Sequence, residues 1–132
     1  MSEANIEIVK KIYEVGGKGD MAAMMALLAP NVVVHEAEGL PYGGVYHGHA
    51  GMGALFQKVF GIIEEFRVVA EDFFVSGNVV VAKIRVVGRG RATGQAINMP
   101  VLEMWTLENG LVTEIRPFYW DTAEFRKATL GS

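Results

Sequence analysis

The sequence predicts an α+β fold: a cone-shaped α+β barrel in which three helices pack on one face of a curved, mostly antiparallel sheet. Two observations predict it. Apolar residues recur at helical spacing up to Ile63, and from Phe66 onward they alternate with period two. The alternating half is punctuated by Ser76-Gly77-Asn78 and Glu108-Asn109-Gly110, which read as hairpin turns. Strands gathered after helices place the helices on one face of an antiparallel sheet. A chain of 132 residues without a Pro- or Ser-rich linker or a fixed-period repeat fits one domain over residues 1–132.

Each element has its own signal. Residues 3–15 form a helix, with Ile6, Val9 and Tyr13 on one stripe and Ile8, Ile12 and Val15 widening it. Ser2 is its predicted N-cap and Gly16-Gly17 its stop. Asp20 caps a second helix over 21–28, which Ala29-Pro30 ends. Val32-Val33-Val34 opens a strand carrying His35 and Glu36, and a turn-rich loop follows over 39–44. The third helix starts after Gly48. Its Met52, Leu55, Phe56, Val59, Phe60 and Ile63 make one apolar face. Four strands are expected over 66–75, 78–90, 95–107 and 111–120, with a bent connection from Gly88 to Gly94. A short helix over 122–128 closes the chain, capped by Asp121.

Composition narrows the function. Hydrophobic residues make up 51 % and charged residues 20 %, which excludes a disordered chain. The net charge of −3 argues against counterion-driven binding of nucleic acid. The absence of cysteine removes disulfides, thiolate metal sites and thiol nucleophiles. No apolar run approaches the ~18 residues of a membrane span, and the N-terminus lacks signal-peptide character. A cytoplasmic protein with no membrane partner is the expectation. The 16 glycines exceed the roughly 9 expected from average usage and gather around the loop over 39–44 and the start of the third helix.

The order α-α-β-α-β-β-β-β, with Leu27-Leu28-Ala29-Pro30-Asn31-Val32-Val33-Val34-His35-Glu36, Tyr46-His47-Gly48 and Glu108-Asn109-Gly110-Leu111-Val112-Thr113-Glu114-Ile115, resembles the SnoaL-like, ketosteroid-isomerase-like branch of the nuclear-transport-factor-two-like superfamily. The resemblance covers essentially the whole chain and implies a pocket between sheet and helices. In the isomerases a carboxylate near the end of the first strand is the general base, and an ungapped count from Gly19-Asp20 places Glu36 there. The same count puts Ile12, one step from Tyr13, at the oxyanion tyrosine. A count from Pro100 puts Leu102 at the second oxyanion donor. The epoxide hydrolase branch ends its last strand in an acidic run that is similar to Arg116-Pro117-Phe118-Tyr119-Trp120-Asp121, but Pro117 stands at the first acid.

The candidate catalytic residues are therefore Glu36, Tyr13 and Tyr119. A carboxylate walled by apolar helices loses hydration, and its pKa rises toward neutrality, which suits proton transfer. Substrate contacts are expected from Tyr42, Tyr46 and His47 in the loop and from Met52, Leu55 and Phe56 on the third helix. The parity of the strand over 95–107 is open. Isomerase parity turns Leu102, Met104, Ile115 and Tyr119 inward, and leaves Glu103, Trp105, Arg116, Phe118 and Trp120 on an aromatic outer face suited to a homodimer interface. A bulge near Pro100 makes Glu103 a second pocket acid instead. His47, His49 and Glu36 could form a metal set, but Gly48 and the helix start argue for a turn there, so no metal is assigned. His49 is placed as a cap or flank of that helix.

The resemblance implies a small cofactor-free acid–base enzyme, an isomerase, cyclase or dehydratase, acting on a hydrophobic carbonyl compound. The alternatives are a non-catalytic ligand-binding or dimerisation module and, less favoured because of Pro117, an epoxide hydrolase.

Overall fold

The computed structural model describes residues 2–132, with side chains from residue 3 onward. The predicted Ser2 cap therefore lies outside the described side chains. Four helices, α1 (Ser2–Gly17), α2 (Met21–Met25), α3 (Gly48–Ile62) and α4 (Thr122–Leu130), pack with six strands. The strands are β1 (Leu28–Glu36), β2 (Gly44–His47), β3 (Ile63–Ser76), β4 (Val79–Gly90), β5 (Ala96–Glu108) and β6 (Leu111–Tyr119). They form one sheet in the order β2-β1-β6-β5-β4-β3, and only β1 and β6 run parallel.

Local chemistry explains most boundaries. Asp20 and Asp121 accept the backbone N–H of Ala23 and Glu124, so both predicted caps form. Asn109 and Gly110 both take positive φ, at 52° and 80°, as a tight hairpin between β5 and β6 requires. Gly90 lies where the β4–β5 connection meets α4: a Cβ there would run into the Ala128 carbonyl, the same oxygen to which the Thr93 hydroxyl donates.

Three boundaries differ from the sequence reading. The second helix stops at Met25, and Leu28-Ala29-Pro30 already belongs to β1. Leu28 pairs with Val112, and Pro30 falls in the irregular stretch before Val33 pairs with Glu114. A residue without a ladder donor is tolerated there. Gly44–His47, expected as loop and turn, is the edge strand β2 and pairs antiparallel with β1. Four residues are too few for alternation to register. β3 begins at Ile63, and its register shifts between Glu64 and Arg67 around Glu65 at φ 55°. That bulge breaks the alternation, so the period of two is readable only from Phe66.

The core fills the space between the sheet and the helices. Val9 and Ile12 of α1 and Leu55 and Val59 of α3 meet Val34, Val80, Ala82, Ile84 and Ile115 of the sheet, all buried. Phe125 of α4 is fully buried against Tyr42 and Tyr119. The parity of β5 is settled by β4. Val80, Ala82 and Ile84 are buried, and they pair with Trp105, Glu103 and Val101 in unbroken register. Cross-strand partners share a face. Glu103 and Trp105 therefore point inward, and Leu102 and Met104 do not line the cavity, which corrects the isomerase-parity expectation for β5. No bulge near Pro100 is involved. On β6 the expected parity holds, with Ile115 and Tyr119 inward and Phe118 outward.

Candidate active site

An apolar cavity of about 350 Å³ opens between α1, α3 and the sheet. That size lies at the small end of ligand pockets. Four elements bring polar groups into it. α1 contributes Tyr13 beside Ile12, which shows that a helix turned by one step from the ungapped count still lines the site. β1 ends at Glu36, whose alternation with Val34 and Val32 turns it inward and sends His35 outward to Glu114, 3.1 Å away. β5 supplies Glu103 and Trp105, and β6 supplies Tyr119. Tyr42 reaches in from the loop after β1, and Met24, Met52, Leu55 and Phe56 complete the apolar wall.

Two hydrogen-bonded groups result. Tyr13 donates its hydroxyl to Glu103 Oε1 and accepts the indole N–H of Trp105 at 3.0 Å. The hydroxyls of Tyr42 and Tyr119 lie 2.5 Å apart. A phenol has one proton to donate. The Tyr42–Tyr119 pair therefore uses one of its two protons internally and keeps one free. Tyr13 has none left while it donates to Glu103. Glu36 stands apart: its Oε1 is buried and has no hydrogen-bond partner.

Burial is the main cause of the unusual acid–base character. It raises the Glu36 carboxyl to about 8, with the Glu103 charge adding to the rise. Burial raises Glu103 to about 7, opposed by the Tyr13 hydroxyl, which favours the ionised form. Burial also pushes Tyr13, Tyr42 and Tyr119 upward, so all three remain neutral donors. Both carboxyls thus hold protons in the fold at pH values where an unfolded chain has released them. Their contribution to stability is complete below the ordinary glutamate range, and it is lost as pH rises through about 7 and about 8. The melting temperature should fall as pH increases from about 5 to about 9, and the slope should be shallower in Glu36→Gln. A melting temperature that instead rose across this range would contradict the assignment.

Glu36, Tyr13, Tyr119, Tyr42, Glu103, Met52, Leu55 and Phe56 all line the cavity. Four other expected contacts do not. Leu102 is 47 % exposed on the outer face, and Met104 lies beside it. His47 is exposed at the end of β2, where β1 pairing directs its neighbour Tyr46 inward. Tyr46 is buried beneath the site: it donates to the Tyr42 carbonyl at 2.7 Å and so supports the loop. His49 bonds the Leu28 carbonyl at 3.0 Å, which fits the flanking role. Among the described residues no three His, Asp or Glu side chains converge to hold a metal ion. Trp105, expected on the outer face under isomerase parity, is buried in the core and forms part of the cavity wall. Buried Val80, Ala82 and Ile84 alternate with half-buried Val81 and exposed Lys83, which marks the inner face of β4, and the β4–β5 register carries that face to Trp105.

A second cleft of about 340 Å³ lies on the outer face of the β1–β6 pair. It is bordered by His35, Arg116 and Phe118, and it shares Glu36, Pro117 and Tyr119 with the inner cavity.

A family model described as a SnoaL-like domain matches residues 9–115. The fold also matches solved structures along nearly its full length. An NTF2-like protein of unknown function from Burkholderia pseudomallei is 28 % identical, with a TM-score of 0.90 over 98 % of this chain and 99 % of that one. A putative SnoaL-like polyketide cyclase from Jannaschia is 22 % identical, with a TM-score of 0.84 over 99 % and 94 %. A hypothetical protein with a ketosteroid isomerase-like fold from Catenulispora acidiphila, solved in complex with trimethylamine, is 14 % identical, with a TM-score of 0.77 over 95 % and 90 %. The last two likenesses show the fold alone. No curated protein matches the chain. Among the described residues no helix is long and apolar enough to cross a membrane.

Proposed function

Because the chain belongs to the SnoaL-like domain family, we propose that its cavity performs acid–base chemistry on a hydrophobic carbonyl compound, with Glu36 as the proton carrier. The observation that carries this reading is the buried, unpartnered Glu36 Oε1 in an apolar wall. A carboxylate without a hydrogen-bond partner is a stronger base than one held by donors, and a pKa raised to about 8 lies close to neutral pH, where a general base works best. Ionised Glu36 takes a proton from the carbon next to the carbonyl. The C–H electron pair forms a carbon–carbon double bond, and the carbonyl π pair moves onto the oxygen to give an enolate. The free hydroxyl proton of the Tyr42–Tyr119 pair is the donor for that oxygen. Return of the proton to a different carbon gives isomerisation. Attack of the enolate carbon on a second carbonyl gives aldol-type cyclisation, and loss of hydroxide gives dehydration.

The test is deuterium exchange from solvent into a panel of hydrophobic ketones, followed by proton NMR. Exchange catalysed by the protein supports the reading, and its absence across the panel counts against it. One observation favours a non-catalytic binding module instead: Tyr13 has its only proton engaged by Glu103. Such a module binds the same ketones without exchange.

We propose further that a second copy of the chain covers the outer sheet face. Leu102 and Phe118 are cross-strand partners, 47 % and 53 % exposed, and Trp120 is 81 % exposed next to them. A lone soluble chain rarely leaves such an apolar patch open, and a two-fold contact would pair it with itself. Light scattering should give a particle of two chains, and Trp120→Asp should give one of a single chain. A single-chain particle for the unaltered protein at micromolar concentration refutes the interface.

A further inference from the structure

The inner cavity is unusual in its charge balance. Glu36 and Glu103 both face it, and no Lys, Arg or His nitrogen among the described residues lies within ion-pair distance of either. Arg67 is the one cationic side chain along its lining, and it is exposed at the rim of β3. The other titratable groups facing the two carboxyls are the phenols Tyr13, Tyr42 and Tyr119. One oxygen of Glu103 is held by Tyr13, and Glu36 Oε1 is held by nothing. The remaining wall is apolar and rich in aromatic rings, including Trp105, Phe56 and Phe60. Rings attract cations through their faces, and a buried carboxylate is most stable beside a positive charge.

We infer that this cavity is a receptor for hydrophobic amines in their protonated form, with Glu36 Oε1 accepting the ammonium N–H and the aromatic wall enclosing the apolar substituents. Such an ion supplies the countercharge and the hydrogen bond that the cavity lacks. Binding of this kind needs no turnover. It goes beyond the acid–base reading, because Glu36 then stays ionised beside a bound cation and does not exchange a proton with carbon.

Proton linkage distinguishes an ammonium ligand from a neutral one. Burial keeps Glu36 and Glu103 largely protonated in the empty cavity at pH ~6. An entering ammonium ion ionises one of them, so about one proton is released to the buffer per molecule bound. A neutral carbonyl compound releases none. Titration calorimetry with N,N-dimethylbenzylamine in buffers of different ionisation enthalpy reads this number, and benzylacetone serves as the neutral probe of similar size. The amine should bind at least about ten-fold tighter than benzylacetone. Glu36→Gln should remove that preference and the proton release while still binding benzylacetone, which also shows that the variant is folded. Equal affinity for the two probes, amine binding without proton release, or an undiminished preference in Glu36→Gln would each overturn the inference. Failure to exchange deuterium into ketones would overturn the acid–base reading and leave this one standing.

Discussion

Glu36→Gln is expected to lower deuterium exchange into a hydrophobic ketone by about 10²- to 10⁴-fold, the usual contribution of a positioned base. Glu36 ends β1 with its Oε1 buried and unpartnered, so the atom is available to a proton on a bound ligand. Glutamine keeps the size of the side chain and removes the titrating oxygen. Its amide does not titrate, so the variant should melt at the same temperature as the parent below the ordinary glutamate range, near pH ~4, and progressively higher than the parent as pH rises toward about 8. Loss of exchange together with preserved melting separates a chemical role from a structural one. Full exchange in the variant would remove Glu36 from the chemistry.

Phe125→Ala is the change with the largest expected effect on stability. Phe125 is fully buried, and truncation of a buried phenylalanine costs about 3–5 kcal/mol, through lost transfer energy and the cavity left behind. Its ring sits edge-on to Tyr119 at 5.1 Å and to Tyr42 at 5.9 Å, so it also fixes the two phenols that share a hydrogen bond. Denaturant unfolding should show the full loss. Ligand binding by the folded fraction should weaken too, because the Tyr42–Tyr119 pair loses its backing. A cost below about 1 kcal/mol would mean that α4 is not part of the cooperative core.

The elements that were legible in the sequence carry long, regular patterns. The apolar face of α3 and the alternation of β4 are examples, as are Asp20 and Asp121, whose cap chemistry is local. What was hidden depends on partners distant in sequence. β2 spans four residues and exists because β1 offers it an edge. Pro30 reads as a helix terminator, yet it lies in a strand, at a place where the β1–β6 ladder is irregular. Counts along the chain turned Ile12 and Leu102 toward the expected oxyanion positions. In the fold their neighbours Tyr13 and Glu103 share a hydrogen bond in the cavity. Each count fell one residue from a polar side chain that faces the cavity, and a step of one rotates a helical side chain by ~100° or moves a strand residue to the other face. Register between β4 and β5 decides the matter, and no single strand contains that information. Glu36 was legible because a carboxylate at the end of an apolar strand has few other places to go.

The central claim is that Glu36 is a desolvated, unpartnered carboxyl within the cavity. Carbon NMR of the side-chain carboxyls, titrated with pH and compared with Glu36→Gln to assign the signal, measures it directly. The account predicts a carboxyl with a midpoint near 8 that disappears in the variant. A Glu36 signal titrating in the ordinary glutamate range near ~4.3 would contradict it.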